Sequence, residues 1–163
     1  ANIYCEVVGG GATADAYHLT APHPDGLGAK NVMIAALKDA EMQPSDIDYI
    51  NVHGTSTPVG DISETKAIVD LFGEHAYKLS ISATKSMTGH LLGGAGAIES
   101  VFIVKALQER LAPPTINIEN LDPAVTIDVV RDTPRTLPAG QIAALNDSFG
   151  FGGHNGIIVL KKI

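Results

Sequence analysis

The sequence is short of the residues and runs that several protein classes require. It holds one cysteine, Cys5, in 163 residues, so neither an intrachain disulfide nor a cysteine-rich metal site can form. Absence of disulfides fits a reducing compartment, and the expected location is the cytoplasm. Every apolar stretch is interrupted by Gly, Lys or Glu well before the ~18 residues a membrane span needs. The opening ANIYCEVVGG carries no basic region or cleavage pattern, so no secretory leader is expected. Positive charge is also scarce: 11 Lys and Arg stand against 18 Asp and Glu, a net charge of −7, and only Lys161 and Lys162 are adjacent. That mean field repels phosphate, which argues against a nucleic-acid binder. No repeat, low-complexity tract or linker divides the chain, and its length and 45% apolar content suit one folded domain over residues 1–163.

What is present alternates between two periodicities. Residues 3–11 read as a strand ending in glycines, followed by a polar, proline-containing surface loop. Apolar residues at helical spacing predict helices over 27–42 and 61–72, the second stopped by Gly73. Short apolar strands are expected at 48–52 and 78–83. A long helix is expected over 90–111, closed by Pro113 and Pro114, and a brief strand near 126–130. IAALNDSF and GIIVLKKI, joined by a Gly-rich turn, predict an antiparallel hairpin. The fold class is therefore α/β, with a mixed, mostly parallel sheet of about five strands between helices.

Two motifs, HGTSTPVGD and TKSMTGHLLGGAGAIES, each follow the carboxyl end of a strand, the edge on which α/β sheets build sites. The second invites a phosphate-loop reading, but no Lys follows its glycines and no third Gly completes a dinucleotide fingerprint. Glycine in a helix costs ~1 kcal/mol relative to alanine, so Gly93, Gly94 and Gly96 point to close approach by another helix. His53 and His90 each admit a structural hydrogen-bonding role. At equivalent strand-to-loop junctions, however, they can together donate to one carbonyl oxygen. No acidic or thiol third ligand stands at metal-binding spacing, so no metal is expected. Asp61 is positioned to cap the helix that follows it.

Taken together, NVHGTSTPVGD, SATKSMTGHLLGGAGAIES and NDSFGFGGHNG resemble the β-ketoacyl-acyl-carrier-protein synthases, most closely the type II enzymes of fatty-acid elongation. The likeness runs the length of the chain. It implies a thiolase-like fold of two similar α/β halves, homodimeric when intact, of which this chain matches the C-terminal half. The family's nucleophilic cysteine belongs to the N-terminal half. Cys5, expected in mid-strand, does not replace it, so the chain alone is expected to be inactive in condensation. The resemblance implies that His53 and His90 bind the malonyl thioester carbonyl, with Lys85 supplying positive charge and Glu99 positioning it. Thr55 and Thr57 would bind the pantetheine arm. Phe151 would gate the site and lend its backbone N–H to the oxyanion hole, and Phe149 would line the same gate. It further implies acyl carrier protein as partner and no resident cofactor, since substrates ride on the carrier's phosphopantetheine. The chain departs from the family in carrying His154 where many members have Thr, and NDS where NS is usual. His18, His23, His75 and His154 are read as structural. Two other readings use the same motifs: a polyketide-synthase ketosynthase segment, and a non-catalytic partner lobe of the chain-length-factor kind.

Overall fold

Five strands form the main sheet of the computed structural model, which describes residues 1–163. In chain order the elements are β1 (Glu6–Ala14), α1 (Leu27–Asp39), β2 (Tyr49–Asn51), α2 (Gly60–Phe72), β3 (Ser80–Ser82) and the single turn α3 (Lys85–Thr88). Then come α4 (Ala95–Glu109), β4 (Leu111–Ala112), β5 (Arg135–Thr136), β6 (Ala143–Gly150) and β7 (His154–Lys161). The sheet order is β1-β7-β6-β2-β3, and β4 and β5 form a separate small ladder. β2 pairs in parallel with β3 and β6, while β7 is antiparallel to both β6 and β1. Four of the five strands therefore run in one direction and β7 alone is reversed. This is the mixed, mostly parallel sheet that alternating strands and helices imply.

Side-chain alternation along the strands divides the core in two. Ile50, Leu145 and Val159 face α1 and α2, meeting Val32, Met33 and Ala36 from the first helix and Ala67, Ile68 and Phe72 from the second. Tyr49, Ala144 and Leu160 face the other way, onto Ile103, Ala106 and Leu107 of α4. Each such large side chain, fully buried, contributes about 1.5–3 kcal/mol. β2, β3 and β6 are thereby held as a rigid platform whose carboxyl ends share one edge.

Four sequence expectations change. β1 begins at Glu6 and runs on through the glycines to Ala14, because the glycines serve the strand's middle. A Cβ on Gly11 would lie 2.6 Å from the Val32 carbonyl oxygen, so α1 can rest on β1 only where side chains are missing. Cys5 consequently sits before the strand, half-buried, and that burial raises its thiol pKa. The long helix starts at Ala95 rather than at His90. Gly89 and Leu92 take left-handed backbone (φ 71° and 52°), and Leu92–Gly94 forms a 3-10 turn. Finally, 126–130 is not a strand but a single parallel bridge, Val129 to Ile81, tied by a Val130 N–H to Ile81 carbonyl bond of 2.8 Å.

Candidate active site

The carboxyl ends of β2, β3 and β6 open onto a cleft of about 840 Å³. His53, two residues past β2, and His90, on the loop after α3, both line it, with Thr55, Thr57, Phe149 and Phe151. The two imidazoles stand edge to face with ring centroids 5.3 Å apart, and the His53 ring lies 5.5 Å from Phe149. Each ring nitrogen Nδ1 accepts a backbone N–H: that of Phe149 at 3.3 Å for His53, and that of Leu92 at 3.2 Å for His90. In a neutral imidazole this leaves the proton on Nε2. Two sequence-distant histidines thus present the same tautomer to one cleft.

His53 is kept neutral by its surroundings. Burial lowers its pKa to about 3, and the nearby Lys85 and His90 push in the same direction. Its backbone is fixed from below by Glu64 of α2, which accepts the His53 N–H at 2.8 Å and the Gly54 N–H at 3.0 Å. Asp61 does not cap its own helix. Its carboxylate instead accepts the Ser56 N–H at 3.1 Å, folding the HGTSTP loop back over α2. Thr55 and Thr57 lie on that loop with hydroxyls 3.4 Å apart.

Lys85 and Glu99 lie behind the cleft rather than on its wall. Their side chains are 5% and 1% exposed and form an ion pair at 2.5 Å. Burial raises the Glu99 pKa, while Lys85 opposes the rise. With the ammonium engaged by Glu99, Lys85 acts on the cleft through its field. Phe151 sits at the tip of the β6–β7 turn and is 77% exposed. Gly153 in the same turn (φ 75°) brings the chain against Asp15, whose N–H donates to the Gly153 carbonyl at 2.9 Å.

The glycines after His90 do not all serve helix packing. Only Gly96 of the three lies within α4, and a Cβ there would come 2.9 Å from Ser148 Oγ, so it approaches strand β6, not a helix. Gly93 faces open space. Of the other histidines, His75 Nε2 lies 2.8 Å from the Ile47 carbonyl oxygen, and His18 accepts the N–H groups of Thr20 and Ala21. His23 accepts the Asp25 N–H, whereas His154 is exposed on the wall of the cleft.

Sequence reasoning missed two carboxyl groups. Glu64 occupies the buried face of α2 beside Ala67 and Ile68, and Asp147 shares the core-facing side of β6 with Leu145. A charge at an apolar position of each periodicity was the available signal.

Residues 4–119 match the family described as "Beta-ketoacyl synthase, C-terminal domain", and the chain belongs to that family. Among curated relatives, it is 53% identical over 162 residues to a "3-oxoacyl-[acyl-carrier-protein] synthase 2" of Synechocystis sp., covering 99% of this chain and 38% of the relative. It is 49% identical to the synthase of the same name from Staphylococcus aureus, covering 99% and 39%. The chain thus spans about two fifths of the length of these relatives. A solved type II polyketide ketosynthase in complex with its acyl-carrier protein superposes with a TM-score of 0.95 at 38% identity, covering all of this chain and 40% of that one. The ishigamide ketosynthase/chain length factor gives 0.90 at 35% identity, covering 100% and 39%.

Proposed function

We propose that this chain is the histidine-bearing lobe of a 3-oxoacyl-carrier-protein synthase, which condenses an enzyme-bound acyl group with a malonyl unit. The observation that carries this reading is the matched pair of Nε2–H donors on His53 and His90 over one cleft. When malonyl thioester loses carbon dioxide, the bonding pair left behind forms an enolate, and negative charge grows on the thioester oxygen. Two fixed N–H donors stabilise that oxygen more strongly than they do the ground-state carbonyl. The buried Lys85 adds a positive field, and Glu99 keeps the ammonium in place. The enolate carbon then attacks an acyl thioester carbonyl on a cysteine, whose thiolate departs.

That cysteine is not Cys5, which lies before β1, has a raised thiol pKa and is not among the residues lining the cleft. In this reading it comes from a second lobe, so the 163-residue chain alone does not condense. Thr55 and Thr57 hold the pantetheine arm, and Phe149 and Phe151 gate the acyl side, with the Phe151 N–H in the oxyanion hole. The partners are an acyl carrier protein, the second lobe and, in the intact enzyme, a second copy. The chemistry draws on the carrier's phosphopantetheine and no resident cofactor, and its place is the cytoplasm.

Identity to fatty-acid synthases of 49–53%, against 35–38% to the polyketide structures, favours fatty-acid elongation over a polyketide role. Retention of both histidines and Lys85 weighs against a non-catalytic chain-length factor. The test is ¹⁵N NMR of the imidazoles during titration with a malonyl-pantetheine thioester. Both Nε2–H signals should shift together and saturably, and His53→Ala or His90→Ala should each abolish the effect at the remaining ring. Binding unaffected by either replacement would overturn the reading.

A further inference from the structure

Beneath His53, on the α1/α2 side of the sheet, lies a carboxyl group that the proposed chemistry does not use. Asp147 of β6 is fully buried, and neither of its oxygens meets a donor anywhere in the chain. Its neighbour is Glu64 on the buried face of α2, which raises the Asp147 pKa by opposing its ionisation. Two ionised carboxylates cannot hydrogen-bond, because both only accept. Glu64 already takes the N–H groups of His53 and Gly54, one on each oxygen. A proton residing on Asp147 gives one of its oxygens a partner: the Asp147 O–H donates to the Glu64 carboxylate, which keeps both backbone donors.

We propose that Asp147 and Glu64 share one proton, carried by Asp147, and that Asp147 is thereby a positioning residue. It completes the shell around Glu64, which in turn holds the His53–Gly54 backbone and so the His53 ring. The surrounding charges agree. Burial raises the pKa of both groups, that of Glu64 to about 7; Glu64 and Glu99 oppose ionisation of Asp147, and Asp61 opposes that of Glu64. Lys85, the cation facing the pair, lowers both but is already matched by Glu99. The shared proton stands without the proposed condensation; its value to catalysis rests on that reading.

Linkage fixes the sign of the effect. Asp147 is raised above its ordinary 3.8, so above that pH the folded chain holds a proton that the unfolded chain has lost. The contribution of Asp147 to stability is then greatest in acid and falls as pH rises toward the folded value, by about tenfold in the folding equilibrium per pH unit, opposite in sign to that of His53.

The experiment is carboxyl ¹³C NMR of the 163-residue chain, with denaturant melts across pH, on the parent, Asp147→Asn and Asp147→Leu. The Asp147 carboxyl should remain protonated at about pH 8, above the value of about 7 at which Glu64 ionises. Asp147→Asn, whose amide can donate to Glu64, should keep the His53 and Gly54 amide signals in place and abolish that pH slope. Asp147→Leu should also lose the slope but displace both amide signals. Asp147 ionised at about pH 8 in the parent overturns the shared proton. Unmoved His53 and Gly54 signals in Asp147→Leu overturn the positioning role. Should Asp147→Leu fail to fold, displaced amide signals in Asp147→Asn overturn it instead, because that variant retains the donor. A malonyl-pantetheine titration of the same samples reads the catalytic proposal separately: binding lost in the parent with the proton present breaks only the latter.

Discussion

His53 and His90 follow parallel strands at the same sheet edge, yet the protein holds them differently. His53 is half-buried, its ring bonded to the Phe149 N–H and its backbone bonded twice to a buried glutamate. His90 is exposed and its ring takes one bond, from Leu92, a residue in left-handed backbone two positions along. One histidine is fixed by tertiary structure, the other by a local loop. A shared oxygen ligand would therefore find one donor preset and one able to adjust, provided the rigid side stays rigid.

The strongest way to break that contrast is to remove the charge behind it. Lys85→Met leaves Glu99 buried without its partner, which should cost about 3–5 kcal/mol in a denaturant melt. Lys85→Met combined with Glu99→Leu should recover most of the loss, since replacing both charges by apolar groups removes the desolvation cost. A double variant no more stable than the single one would show that the pair is not the source.

The acid limb of stability sharpens the comparison next. His53 falls from 6.5 in the unfolded chain to about 3 when folded, because burial and the neighbouring Lys85 oppose its charge. The unfolded chain thus binds a proton that the folded chain refuses. The stability contributed by neutral His53 is complete above pH 6.5 and is lost as pH falls toward 3. His53→Gln should flatten that limb in pH-resolved melts, and an unchanged limb would mean the ring titrates normally. A smaller effect tests the support itself. Glu64→Gln retains only one acceptor for two backbone N–H groups, so it should cost about 1–3 kcal/mol. It should shift the amide signals of His53 and Gly54 and leave that of Leu92 in place.

These differences explain which features were legible. β2 and β3 and the loops after them could be read because a short apolar run breaks abruptly into hydroxyls and glycine, a local signal. Both histidines were found for the same reason, as was the hairpin carrying Phe149 and Phe151. The start of α4 was not legible, since alanines and glycines at 93–97 are compatible with a helix and with the 3-10 turn that forms. Glu64 and Asp147 were hidden for another reason: their pairing joins a helix to a strand across 83 positions, and only tertiary structure brings them together. The glycines of β1 likewise looked like a strand's end until α1 lay on them.

The smallest effects lie in the glycines between the two regimes. Gly96 faces β6 closely enough that Gly96→Ala must displace Ser148 Oγ, 2.9 Å from the new Cβ, or move the helix. Overpacking of this kind costs about 1–3 kcal/mol, set against ~1 kcal/mol gained in helix propensity. A net loss of about 1 kcal/mol is expected. Gly93 has nothing within 4 Å, and its chain neighbours Leu91 and Leu92 are exposed. Within this chain Gly93→Ala should therefore change stability by less than about 0.5 kcal/mol. If the second lobe of the proposed enzyme packs on this face, the same variant should weaken its association while the melting curve of the lone chain stays put. A melting loss as large as that of Gly96→Ala would mean that the loop holding His90 is packed as tightly as the ground under His53, and the contrast between the two histidines would fail.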